Sequence, residues 1–369
     1  MDQLWLEKLY KELHEMAEVS FKEKKTTAYI ASVLSKFDIR FQTFEHHTGL
    51  IAEVGSGNPV IGLRADIDAL WQEVDGKMKA NHSCGHDAHM TIGIGTLLTL
   101  KEKESQLKGT FRCLFQPAEE QGNGSLKVIE AGAVDDMETL FGIHLRPKDE
   151  IRFGKAAPSI RHGAAIFYEG KILSADAHGA RPHQGVNAID AGFAIQQRLN
   201  QIRLSPMTPH SVKMTKLLAG GNSPNIIPGN ALFSLDLRAQ TNHGLQQLKK
   251  EVSITLEAIK IMYQIEIEGD WIDYTPGAEV STEAESILSL AIKDVLGEDN
   301  CEAPIITPGS DDFHFYTIER PQLKASMLAL GADLTPGLHH PHMTFNLNCL
   351  KVGVEVLEKA VREVMNSSS

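Results

Sequence analysis

Apolar and polar positions along this chain fall into two alternating patterns. Short apolar runs of strand length occur at 60–65 (VIGLRA), 109–116 (GTFRCLFQ) and 139–143 (TLFGI), and stretches of helical spacing lie between them, the order an α/β domain requires. The first twenty residues (MDQLWLEKLYKELHEMAEVS) predict an amphipathic, acidic helix. Each apolar run ends in polar chemistry: the first at Asp66, the second at Pro117-Ala118-Glu119-Glu120, the third at His144. In open parallel sheets the functional groups gather beyond the carboxyl ends of the strands. These three tips are therefore expected to converge with the turn CGHDAH (84–89), which opens a helix running through Leu100.

From about residue 163 the pattern changes. GAAIFYEGKIL reads as a strand, NAIDAGFAIQQRLNQI as a helix, SVKMTKLLA and NALFSLDLRA as strands, NHGLQQLKKEVSITLEAIKIM as a helix and YQIEIEG as a strand. This β-α-β-β-α-β order is ferredoxin-like and complete in itself. After Pro276 the α/β pattern resumes with STEAESILSLAIKDVLG, SMLALGA and NCLKVGVEVLEKAVREVM. The expected fold is a mixed α/β/α catalytic domain formed by residues 1–162 and 276–369, with an inserted ferredoxin-like lid at 163–275. Only the terminal NSSS reads as disordered.

Composition narrows the function. With 369 residues, 42% of them hydrophobic and 23% charged, the chain has apolar material for two cores. A net charge of −12 without a basic patch argues against nucleic acid or an anionic membrane as partner, and leaves small molecules. The four cysteines (84, 113, 301 and 349) show no framework spacing, and the first residues form no secretory leader, so a reducing cytoplasm is expected. No run is long enough to cross a bilayer.

The densest chemistry is NHSCGHDAH at 81–89. Cys84 and His86, two apart before a helix, suit a shared divalent metal, and the positive end of that helix is expected to favour the thiolate. A buried cysteine beside a capping turn has the same pattern. Glu119-Glu120 offers one carboxylate for metal and one for proton transfer, or else a solvated acidic loop. His144 and the later GLHHPHMTF, with His339, His340 and His342, are taken singly a structural histidine and a surface loop. What favours one site is that all of these fall on strand ends or loops.

The segments LRADIDAL, HSCGHDAH, FQPAEE, GIH, AHGARPH, NIIPG and LHHPH resemble, in order and approximate spacing, the M20 metallopeptidase superfamily. The resemblance spans about residues 45 to 350 and is strongest to the amidohydrolase branch, with its hippurate hydrolases, N-acyl-amino-acid deacylases and auxin-conjugate hydrolases. It implies two divalent ions (zinc, manganese or cobalt) bridged by Cys84 and held further by His86, Glu120, His144 and His339, with Glu119 as general base. Asp66 and Asp87 would steady the cluster. From the lid, His178 would stabilise the oxyanion, commonly across a subunit boundary, while Asn225 and Arg238 would contact substrate in a homodimer joined through that domain; Arg238 equally suits a structural salt bridge. The implied reaction is hydrolysis of an N-acyl amino acid or similar small conjugate. A dipeptidase, a carbamoyl-type hydrolase and a metal-holding protein without turnover are the alternatives. Three departures stand out: Trp71 where the family usually has proline, Asp311 where a glutamate is usual, and His340 beside His339 as a competing ligand.

Overall fold

A computed structural model describes residues 2–367 of the chain. Two compact units are present: one formed by residues up to Arg161 with Glu279–Ile306 and the chain from Asp312 onward, the other by His162–Ala278 with Thr307–Asp311. The last two residues of the NSSS tail lie outside the described residues. The first two do not form a loose end, because the final helix, Cys349–Ser367, continues through them.

The first unit is built on a seven-stranded mixed sheet in the order Arg40–Thr43, Leu50–Ser56, Gly109–Gln116, Val60–Asp66, Thr139–Pro147, Lys324–Leu334, Ala156–Ala157. The four strands from Gly109–Gln116 to Lys324–Leu334 run parallel, and the edges are antiparallel. Continuous apolar runs are what such strands need, since helices cover both faces; every residue of Val60–Asp66 is buried. The strand beginning at Thr139 does not stop at His144 as its apolar run suggests. It runs on to Pro147, because its eleven-residue neighbour Lys324–Leu334 continues the ladder and sets Ala329 opposite His144.

Three helices matter for the site: α1 (Gln3–His14), α2 (Lys24–Lys36) and α3 (His86–Lys101). Asp2 caps α1 by accepting from Leu4 N, and the helix buries Leu6, Leu9 and Leu13, one stripe at helical spacing. In α3 only Thr99 and Lys101 escape burial. Its Thr91 and Thr96 hydroxyls are satisfied by bonding back to Asp87 O (2.7 Å) and Ile92 O (2.8 Å). Each fully buried Leu or Ile of this helix contributes about 1.5–3 kcal/mol. The final helix approaches α3 closely: a Cβ on Gly95 would lie 2.6 Å from Val354 Cγ2, and one on Gly353 would lie 2.7 Å from Ile92 Cδ1.

The second unit holds a four-stranded antiparallel sheet in the order His210–Ala219, Asn230–Ala239, Ala164–Leu173, Glu266–Thr275, with helices Ala188–Leu199 and Asn242–Tyr263 packed on it. In chain order the strands lie second, third, first, fourth, the ferredoxin-like arrangement. Among the described residues, no helix is long and apolar enough to cross a membrane.

Candidate metal centre

The site of the first unit gathers at the carboxyl ends of its parallel strands. Val60–Asp66 delivers Asp66 and then Asp68, Gly109–Gln116 leads into the turn with Glu119 and Glu120, Thr139–Pro147 carries His144, and the turn before α3 carries Cys84 and His86. Gly85 lies between these last two at φ +86°, a left-handed conformation that favours glycine. Cys84 Sγ is 3.6 Å from His144 Nε2. His86 Nε2 lies 3.8 Å from Glu119 Oε2 and 3.9 Å from Glu120 Oε1, and His339 Nε2 lies 3.5 Å from the same Glu120 oxygen. Two sets of potential ligands share Cys84: with His86 and His144, and with Glu120 and His339, the atoms of each set within 4.8 Å of one another.

Hydrogen bonds distinguish the three histidines of NHSCGHDAH. His89 uses both ring nitrogens: Nδ1 donates to Asp66 (2.7 Å) and Nε2 accepts from Leu145 N (3.0 Å). His82 is buried with neither nitrogen bonded, and burial pushes its pKa down to about 4. His86 donates Nδ1–H to Asp68 O at 2.9 Å, which leaves Nε2, buried and without a hydrogen bond, facing the carboxylates. His339 takes a left-handed conformation (φ +64°), its N–H bound to Ser83 O (2.6 Å) and its carbonyl to Gln72 Nε2 (3.0 Å). The neighbouring His340 instead accepts from His342 N through its Nδ1 (3.1 Å).

Ala118, entering the carboxylate turn, is also left-handed at φ 54° and ψ 39°, which costs a non-glycine residue about 1–2 kcal/mol. Three carboxylate contacts hold the turn: Glu23 Oε1 accepts from Ala118 N (3.0 Å), and Asp68 accepts from Glu119 N (3.2 Å) and Glu120 N (3.1 Å). Beneath, the fully buried Arg64 donates to Asp66, to Gln116 (3.0 Å) and to Asp312 (2.8 Å). Burial alone would raise the Asp66 carboxyl, but Arg64, His86 and His89 together outweigh it and hold that carboxyl well below its usual range.

The expectation that the helix end favours the Cys84 thiolate does not hold. Burial, and after it the charge of Glu120, pushes the thiol well above its ordinary value. Burial likewise pushes the Glu120 carboxyl up to about 7. For His86 burial opposes charge, yet Asp66 and Cys84 outweigh it and raise the imidazole well above its ordinary value. Positive charge brought to this site would favour the deprotonated form of each of the three groups. A divalent cation supplies it, deprotonates a coordinating thiol, and would satisfy the orphaned His86 Nε2 and Glu120 Oε1. The residues fit a metal.

Asp87 stands apart from this cluster: its carboxylate accepts from His14 Nδ1 of α1 (2.6 Å) and from Ala88 N (2.8 Å). In the second unit the short strands Ala177–His178 and Ile226–Ile227 pair, with His178 opposite Ile226, and Asn225 O accepts from Gly179 N (2.7 Å). Arg238 is bonded to Asp236 through Nε (3.0 and 3.2 Å). Trp71 lies on the hairpin Leu70–Val74/Lys77–Asn81 and is exposed. Arg64, Asp68 and Glu23 are absent from the sequence-based site. Asp68 had one signal, its alternation with Asp66 in LRADIDAL; Glu23 had none.

A parallel sheet whose strand ends bring together a thiol, imidazoles and paired carboxylates around unsatisfied buried atoms defines a metal-dependent hydrolase. The family model described as Peptidase family M20/M25/M40 matches residues 62–363, and the chain belongs to that family; it acts on amide bonds. It is similar to IAA-amino acid hydrolase ILR1-like 2 of Arabidopsis thaliana, at 31% identity over 95% of this chain and 83% of that one. N-acetylcysteine deacetylase of Bacillus subtilis is 30% identical over 93% of this chain and 92% of its own. Among solved structures, a dinuclear metal binding peptidase of the M20 family from Bacillus subtilis superposes with a TM-score of 0.85 at 27% identity, covering 99% of this chain and 98% of the other.

Proposed function

We propose that the protein hydrolyses the amide of N-acyl amino acids or similar small conjugates, with Glu119 as general base beside two divalent ions. One observation carries this reading: two ligand sets share Cys84 while Glu119 stands next to Glu120 in the same turn, 3.8 Å from His86 Nε2. Cys84, His86 and His144 would hold one ion and Cys84, Glu120 and His339 the other, with zinc, manganese or cobalt all compatible with this donor set. Bound ions would acidify water and polarise the amide carbonyl. Glu119, 11% exposed, is open enough to exchange a proton: it takes one as water attacks and delivers it to the leaving nitrogen. Arg64, with His86 and His89, favours the ionised form of Asp66, and Asp66 fixes the tautomer of His89. His178, Asn225 and Arg238 are proposed to serve the oxyanion and substrate carboxylate from the inserted lid, residues 163–275. The relatives named for auxin-conjugate and N-acetylcysteine hydrolysis support an N-acyl amino acid substrate.

The protein is proposed to work as a cytoplasmic homodimer. Its four cysteines are free, which suits a reducing compartment. Ile189 and Phe193 on one helix and Leu217 and Leu218 on the edge strand His210–Ala219 are exposed apolar residues around an open sheet edge that a second copy would cover. The test of function is hydrolysis of a panel of N-acyl amino acids by metal-loaded protein. Glu119→Gln is expected to lower kcat by about 10²- to 10⁴-fold with metal content unchanged. Parent-level turnover in that variant refutes the assignment.

A further inference from the structure

We propose that Glu23 is a positioning residue for the Glu119–Glu120 turn: its carboxylate holds Ala118 in the left-handed conformation from which both side chains enter the metal centre. The inference rests on the function proposed above. Glu23 is fully buried, and its carboxylate accepts from neutral donors, among them Ala118 N at 3.0 Å and the Thr48 hydroxyl. Burial of a carboxylate without a cation is unfavourable, and here it pushes the carboxyl above its usual range. A core position gains nothing from such a group. A strained backbone does, because a left-handed alanine persists only where its surroundings determine it.

The local geometry gives Glu23 that task. Asp68 already takes the amides of Glu119 and Glu120, and Asp68 is itself anchored by Ser20 Oγ at 2.6 Å. The amide of Ala118 is taken by Glu23. Beyond the turn the chain is tightly wound: Gly122 N donates to Glu119 O (2.7 Å), and a Cβ on Gly124 would lie 1.7 Å from Pro117 O. The entry through Ala118 therefore sets where both carboxylates point. Ser20 and Glu23 come from one stretch just before α2, so the segment preceding that helix acts as the clasp of the turn.

The test compares Glu23→Leu, which keeps bulk and loses the acceptor, with Glu23→Gln, which keeps an acceptor oxygen. At saturating metal, kcat of Glu23→Leu is expected to fall by about ten- to a hundredfold with KM little changed, the scale on which small misplacements of reacting groups act. Glu23→Gln is expected to stay close to the parent. Metal affinity, read by competition with a chromogenic chelator, should weaken for the leucine variant and not for the glutamine variant. Equal losses in both variants, or parent-level values in both, overturn the proposal. If Glu23→Leu does not fold, Thr48→Val removes the hydroxyl that orients the same carboxylate and should lower kcat to a smaller extent; a parent-level kcat there overturns it. A parent protein that binds no metal, or whose Glu119→Gln variant keeps its rate, defeats the underlying function instead, whatever Glu23 does.

Discussion

Glu119 and Glu120 are adjacent, similarly shielded and drawn from one turn, yet their surroundings separate them. Glu120 has a buried oxygen without a hydrogen bond and lies 3.5 Å from His339, which suits a ligand; Glu119 is outside both sets that share Cys84, although it also lies within ligand distance of His86 and Glu120. Glu120→Gln replaces an anionic donor by a neutral amide. Its metal affinity is expected to drop by about tenfold or more, since even outer groups around a metal act on that scale. Excess metal should recover part of the activity, and elemental analysis after dialysis reads the loss. The residues gathered here were visible in the sequence because ligands must be His, Cys, Asp or Glu at turns, and such residues stand out against apolar runs. Glu23 was invisible for a physical reason: its role is defined by an amide 95 positions away, and a glutamate before a helix has many ordinary explanations.

At the level of elements, the strands through Asp66 and Gln116 ended where their apolar runs ended, and the helix after CGHDAH ran one residue past its expected end at Leu100. The strand through His144 ran longer, because the length of a ladder depends on the neighbouring strand, which hydrophobicity along one segment does not encode. The pairing of α1 with α3 was equally hidden. There His14 meets Asp87 at 2.6 Å; the hydrogen bond to Asp87 raises His14 from 6.5, while for Asp87 burial, which would raise it, is outweighed by His14 together with His82 and the Ala88 amide, so that it falls below 3.8. The raised histidine stabilises the fold fully below 6.5 and loses this as pH climbs through its folded value. The lowered aspartate stabilises it fully above 3.8 and loses this as pH drops through its folded value. The pair therefore works best between these limits. His14→Ala should lower the urea midpoint more at about pH 5.5 than at about pH 9, measured on metal-loaded protein. Equal losses at both would assign His14 to packing alone.

For the molecule as a whole, the ferredoxin-like unit has a sheet edge that no strand among the described residues pairs, and apolar side chains beside it. Gly192 makes this possible: a Cβ there would lie 2.8 Å from Leu217, so the helix lies tight against the edge strand and its Phe193 turns outward, 60% exposed. Sedimentation of the parent is expected to give a dimer, and Phe193→Asp combined with Leu218→Asp a monomer. A parent monomer would remove the proposed assembly.

The nearly complete burial of α3 reaches further than packing. A helix with almost no wet face exchanges most of its amide hydrogens only when its whole unit opens; His86 is its first residue and Cys84 lies just before its cap. The backbone that carries those two residues is thus as firmly held as the fold itself. His339, half exposed on a loop, is free of that restriction. The two proposed ion positions would then keep different clocks, the one that includes His339 trading its ion with solution the faster.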